Sequence, residues 1–209
     1  MILAWLDVSD RSRMPIDPRL WSEGPIQSTY PACMAVKAAA EQGPEAAGRY
    51  LRALREGLMC FRRKLDTKEA LVEEARTAGL DVQRFRIDLD SNAILEALGA
   101  DLEEVRGSEG LVLPSVRFEG ERGLEWVGGE APYVDWRAAA TAAGGVPSDD
   151  PPPDPLAAVT RFGRAADIEV ATICELPLPR ASAELWRLAV EWQLKPVRVL
   201  TGTLWEPAS

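Results

Sequence analysis

The sequence predicts an α/β protein in which a run of helices precedes a β-β-α unit, followed by a smaller C-terminal module. Three observations carry this. The segment Gly110-Leu-Val-Leu-Pro-Ser-Val-Arg-Phe-Glu-Gly120 alternates apolar and polar residues beyond Pro114, and Leu124 to Val127 does the same after a glycine-bearing turn. Between residues 28 and 105, apolar residues recur at helical spacing. The stretch Ser148-Asp-Asp-Pro-Pro-Pro-Asp-Pro155 is extended, acidic and proline-rich, the composition of a linker. These place a first domain at 1–147, a linker at 148–154 and a C-terminal module at 155–209.

The elements follow in order. Met1 to Val8 reads as one apolar strand, and Asp10 to Gln27, with Pro15, Pro18, Gly24 and Pro25, as an irregular segment anchored by Trp21 and Ile26. Ser28 or Thr29 caps a helix whose first turn holds Pro31, where a missing N–H costs nothing. Its small residues Ala32, Ala35 and Ala39 permit close approach to a neighbour. A second helix spans Pro44 to Phe61, with Tyr50, Leu51, Leu54 and Leu58 inward and Arg49, Arg52 and Arg55 outward. Asp66-Thr-Lys-Glu69 has capping-box spacing and opens a third, which stops at Gly79. Short helices follow from Asp81 and from Asp90 or Ser91, with one more turn over Asp101 to Val105.

In the first strand of the β-β-α unit, Val116 and Phe118 share one face, while Ser115, Arg117 and Glu119 share the other. Pro114 lacks a ladder N–H and therefore begins this strand. Ala131 to Ala143 is the closing helix. Beyond the linker, helical patterns over Pro155–Arg164, Asp167–Cys174 and Arg180–Gln193 precede a hairpin, Val197 to Trp205, about Gly202. Three helices and a hairpin make a winged-helix-like plan. At this size the module leans on the first domain for burial.

Composition excludes several function classes. The net charge is −9, which argues against a general role on phosphate backbones. In the C-terminal module Arg161, Arg164, Arg180, Arg187, Lys195 and Arg198 are matched by as many acids. Trp186, Leu188, Val190 and Trp192 read as packing residues, with Trp186, Trp192 and Trp205 as interface anchors. Nucleic acid is therefore not expected as a partner. With no histidine, imidazole ligands and His-based triads are excluded. The three cysteines, Cys33, Cys60 and Cys174, form neither a C-x-x-C pair nor a zinc spacing, and Cys33 and Cys60 read as small buried hydrophobes. The pairs Asp149-Asp150 and Glu73-Glu74 read as linker and solvent-facing acids. No apolar run is long enough to span a bilayer, and the N-terminus lacks a secretory pattern, so the expectation is a cytoplasmic protein without a cofactor or metal.

Taken together, several pieces resemble the DsbA-like branch of the thioredoxin-fold proteins, which holds FrnE-like oxidoreductases and 2-hydroxychromene-2-carboxylate isomerases. They are Met14-Pro-Ile-Asp17, Ser28 to Ala40 with Gln42-Gly43, Arg49 to Arg55, Ala75 to Asp81, Phe85, Asp88, Ser91, Leu113-Pro-Ser115 and Gly128-Gly129. The resemblance implies a helical insertion in a thioredoxin-like α/β fold and a cis peptide before Pro114. It also implies a peptide-binding edge at Leu113 and Pro114, where an extended partner adds by main-chain hydrogen bonds. The family's first unit carries Cys-x-x-Cys, or a serine variant, at a helix start between two strands. That unit has no counterpart here, with Met1 to Val8 at most part of its second strand. Either the native chain starts earlier, which the cost of an uncovered sheet edge favours, or this is a reduced form without redox chemistry.

The resulting expectation is a protein of the disulfide oxidoreductase class, inactive as written, with a protein or peptide thiol as substrate. The glutathione-dependent isomerase reading lacks its serine. The alternative is a non-catalytic adaptor that uses the Pro114 edge and the C-terminal module to hold a partner protein or a second copy of itself.

Overall fold

In the computed structural model, which describes residues 1–108 and 110–208, the chain opens with a helix rather than the expected strand. This is α1, Ile2–Ser12. A short apolar run does not by itself distinguish the two. Helical spacing here sends Trp5 edge-on to Trp21, with ring centroids 5.4 Å apart, and turns Ser9 inward, where its Oγ donates to the Met14 carbonyl at 2.8 Å. After the one-turn α2, Leu20–Glu23, come α3 (Tyr30–Ala40), α4 (Pro44–Met59), α5 (Lys68–Thr77) and α6 (Val82–Leu89). Ala35, Ala38 and Ala39 of α3 are fully enclosed and let α3 lie close on α4. Tyr50 tilts against Phe85, centroids 5.1 Å apart, and its hydroxyl donates to the Leu71 carbonyl at 2.9 Å. A buried phenol thus meets its hydrogen-bonding requirement inside an apolar cluster.

The cap of α5 departs from the expected capping box. Thr67 is the N-cap and accepts from Ala70 N–H, while Asp66 instead accepts from the Gln27 N–H at 2.9 Å. The two short segments expected between Asp90 and Val105 are one helix, α7, Asn92–Gly107.

Two compact units are present. One comprises 1–98 with 152–209, the other 99–151. The sequence separated 1–147 from 155–209; the structure instead gathers the C-terminal segment and the first 98 residues into one body. The C-terminal elements are α9 (Pro155–Phe162), β3 (Ala165–Ala166), α10 (Asp167–Ile173), α11 (Leu178–Val190), β4 (Leu194–Val199) and β5 (Gly202–Pro207). Their antiparallel sheet runs in the order β3-β5-β4. Trp205 is fully buried at its centre, and its indole N–H donates to Asp167 Oδ1 at 2.6 Å.

Within this first unit, C-terminal and N-terminal elements share packing. Cys60, Met59 and Phe61 pack with Ala166, Val199 and Leu204. An ionic lattice joins the same elements. Arg52 makes a two-pronged contact with Glu169 at 2.9 and 3.1 Å. Arg164 reaches Glu56 and Glu206, each at 2.7 Å, and Lys195 holds the other oxygen of Glu206 at 2.9 Å. The irregular segment is tied in as well, since Thr201 Oγ1 accepts from Ile16 N–H at 2.7 Å and donates to Ile16 O at 3.0 Å.

The second unit holds the end of α7, the strands β1 (Ser115–Gly120) and β2 (Gly123–Gly128), and α8 (Tyr133–Ala143). The antiparallel register pairs Val116 with Val127 and Phe118 with Glu125. Phe118 stands edge-on to Trp136 of α8, centroids 6.4 Å apart. A side chain at Gly120 is not admissible, because its Cβ would lie 2.3 Å from the Ala143 carbonyl oxygen. That same oxygen accepts from Arg122 N–H at 3.1 Å, so the hairpin turn docks directly on the end of α8.

Candidate protein-binding surface

Pro114 enters β1 through a cis peptide bond with Leu113. Its surroundings are fixed by backbone contacts. Gly129 N–H is shared between Val112 O at 3.1 Å and Pro114 O at 2.7 Å, and Ser115 Oγ donates to Val112 O at 2.6 Å. Gly128 permits this closeness, since a Cβ there would sit 3.0 Å from Ser115 Oγ. Between these bonded neighbours, Leu113 N–H and C=O make no hydrogen bond among the described residues. The side chains of Val112 and Leu113 are 62% and 64% exposed. An open pair of main-chain groups beside apolar side chains is what strand addition requires.

The sheet face away from α8 adds to this surface. Leu124 and Trp126 are each about half exposed, and the guanidinium of Arg117 lies over the Trp126 ring at 5.8 Å. Glu104 at the end of α7 orients Arg117 at 3.0 Å. The α8 side of β2 carries an open groove lined by Glu125, Val127, Asp135, Ala138 and Ala142.

The cysteines do not form a redox site. All three are free thiols. Cys33, expected to be buried, is exposed on α3, where it lines an open apolar hollow with Leu51 and Leu58 of α4. Cys60 is buried and its Sγ–H donates to Pro15 O at 3.2 Å. Burial pushes its thiol up to about 12, far from a thiolate at neutral pH. Burial also raises Cys174. No cluster of metal-ligating side chains occurs among the described residues, and no helix is long and apolar enough to cross a membrane.

Other expectations need amendment. Trp205 is enclosed and cannot anchor an interface, whereas Trp192 is 87% exposed and Val190 is 78% exposed rather than packed. Trp186 is half exposed and stands edge-on to Trp205 at 4.9 Å. Glu74, read as solvent-facing, is 2% exposed and pairs with Arg63 at 3.0 Å. Arg52, read as outward, is drawn into the ionic lattice by Glu169. Arg52 also pairs with Glu56 one turn on at 2.9 Å, but sequence spacing around α4 could not show its inward turn, because Glu169 lies 117 residues away.

Residues 3–118 match the thioredoxin family, more than half of the chain. The chain belongs to the thioredoxin family. It is also similar to the ClpXP adapter protein SpxH of Halalkalibacterium halodurans, at 30% identity over 205 residues, covering 96% of this chain and 67% of the relative. The ClpXP adapter protein SpxH of Bacillus subtilis is 27% identical over 212 residues, covering 99% of this chain and 71% of the relative. That of Shouchella clausii is 30% identical over 182 residues, 85% and 60%. These relatives overturn the reading as a disulfide oxidoreductase of the DsbA class. The thioredoxin fold stands, but the relatives that match most of this chain are ClpXP adapter proteins by name.

Proposed function

We propose that this chain is a protein-binding adapter of the ClpXP type, which holds a partner protein for proteolysis rather than transforming it. The observation that carries the reading is the open main-chain edge at Leu113 within a thioredoxin fold, in a chain whose relatives are ClpXP adapters. Leu113 and Pro114 are the binding positions. The Leu113 N–H and C=O pair with an extended segment of the partner, and the exposed Val112 and Leu113 side chains give it an apolar seat. The same reading places the protein in the cytoplasm.

The C-terminal order α9-β3-α10-α11-β4-β5 supports a winged-helix-like module. Its role here is to present protein rather than to read DNA. The face of α11 that points outward carries Trp186 and Val190, with Trp192 just beyond, and Arg187 is already committed to Glu184 and Glu191. The exposed Trp192 makes a second copy of the chain one partner to look for.

The test is direct binding of the purified chain to purified ClpX hexamer, followed by biolayer interferometry. Saturable binding with a Kd in the micromolar range or tighter supports the adapter reading, and no binding up to 100-fold higher concentration, about 0.1 mM, overturns it.

A further inference from the structure

In the first unit, a cleft runs along α4 between α5 and the end of α9, lined on its α4 side by Glu45, Gly48, Arg49, Arg52, Ala53 and Glu56. The twelve helical residues from 45 to 56 extend about 16 Å, the span of roughly five residues of extended chain. The wall stays low. A Cβ at Gly48 would meet nothing within 4 Å, and Ala53 and Ala78 are small. Opposite α4 stands Phe162, 40% exposed. Two guanidiniums lie over its ring, Arg52 at 5.3 Å and Arg161 at 5.6 Å.

The charges here divide into committed and open groups. Arg52, Arg164, Glu56 and Glu169 belong to the ionic lattice, and Glu74 is held by Arg63. Arg161 has no carboxylate partner among the described residues, and Arg49 reaches only the Ala78 carbonyl at 3.3 Å. Against these two exposed cations stands one exposed carboxylate, Glu45. In a chain of net charge −9, a groove with two open guanidiniums, one of them over an exposed aromatic ring, is distinctive.

We propose that this cleft is a docking groove for an extended acidic segment of a partner protein, with its carboxylates on Arg49 and Arg161 and an apolar or aromatic residue against Phe162. Arg161 offers the edge of its planar donor fork to a carboxylate while the guanidinium stays over the ring. The length of the cleft selects an extended peptide over a small anion. This deepens the adapter reading by giving the chemistry of one bound segment. Its test contains no ClpXP, so it can fail while the adapter reading stands.

The full chain is titrated into a fluorescein-labelled hexapeptide of alternating glutamate and phenylalanine, with the lysine–phenylalanine peptide as control, and anisotropy is read. The groove predicts at least tenfold tighter binding of the glutamate peptide. Reversing both open charges (Arg49→Glu with Arg161→Glu) weakens it at least tenfold and shifts preference toward the lysine peptide. Gly48→Leu, at an exposed helical position with room for a side chain, obstructs the groove and weakens binding without altering the circular dichroism. Equal binding of the two peptides, unchanged binding by the double variant, or displacement of the glutamate peptide by a single-stranded DNA oligonucleotide at equal charge concentration overturns the proposal.

Discussion

Asp17 is only 3% exposed, yet it stays charged because Arg19 grips both of its oxygens, at 2.9 and 2.5 Å. The Arg19 hydrogen bond holds this carboxyl below its usual value, with Arg62 adding to the effect. A carboxyl whose folded pKa is depressed contributes stability above its unfolded pKa and loses it as pH falls through the folded one. Asp17→Asn should therefore cost roughly 2 kcal/mol near pH 7, and the deficit relative to wild type should shrink as pH drops below 4, read by urea unfolding at several pH values. The thiols give a second prediction at this scale. Exposed Cys33 should react with iodoacetamide in the native protein at pH 7.5, while Cys60 and Cys174 should react only after denaturation, as counted by mass spectrometry. Modification of Cys60 at the rate of Cys33 would contradict the burial that raises its pKa.

Gly120 and the Ala143 carbonyl fix how the β-hairpin meets α8. Gly120→Ala should separate turn from helix and lose protection of the Arg122 amide in hydrogen exchange, since that N–H donates to the same oxygen. Cap chemistry at α5 is milder. Thr67→Ala should cost about 1 kcal/mol in thermal unfolding. These elements show where the sequence was legible. Helices α3 to α6, the hairpin and α8 were readable because period and the glycine and proline stops agree locally, even though the cap of α5 is Thr67 rather than Asp66. The cis peptide before Pro114, which the family resemblance implied, is present. The N-terminal helix was not readable, because Met1 to Val8 is apolar on too many positions to show a period, and its inward face is chosen by Trp21 and Thr201. The buried states of Arg52 and Glu74 were not either, since only the fold supplies Glu169 and Arg63.

Across the first unit, N-terminal helices and C-terminal module are held by an ionic lattice laid beside apolar packing. Burial pushes Glu206 upward, but Lys195 and Arg164 more than offset it, and the carboxyl sits below its usual value. Arg164→Ala takes one cation from Glu56 and Glu206, 13% and 19% exposed, which keep Arg52 and Lys195 as partners, and should cost roughly 1.5–3 kcal/mol by chemical denaturation. Removing Arg76, whose contact with Glu73 is on the surface, should cost under about 1 kcal/mol. The lattice bears on the proposed groove because it ties Arg164, just past α9 and Phe162, to Glu56 of α4. The account as a whole makes the chain an adapter, and the most direct test is a proteome-wide pulse-chase in the producing cells, with protein half-lives compared between strains lacking this chain and strains lacking ClpX. The account predicts that a discrete set of proteins is stabilised in both. Half-lives that are unchanged without this chain, or a stabilised set that does not overlap the ClpX set, would contradict it.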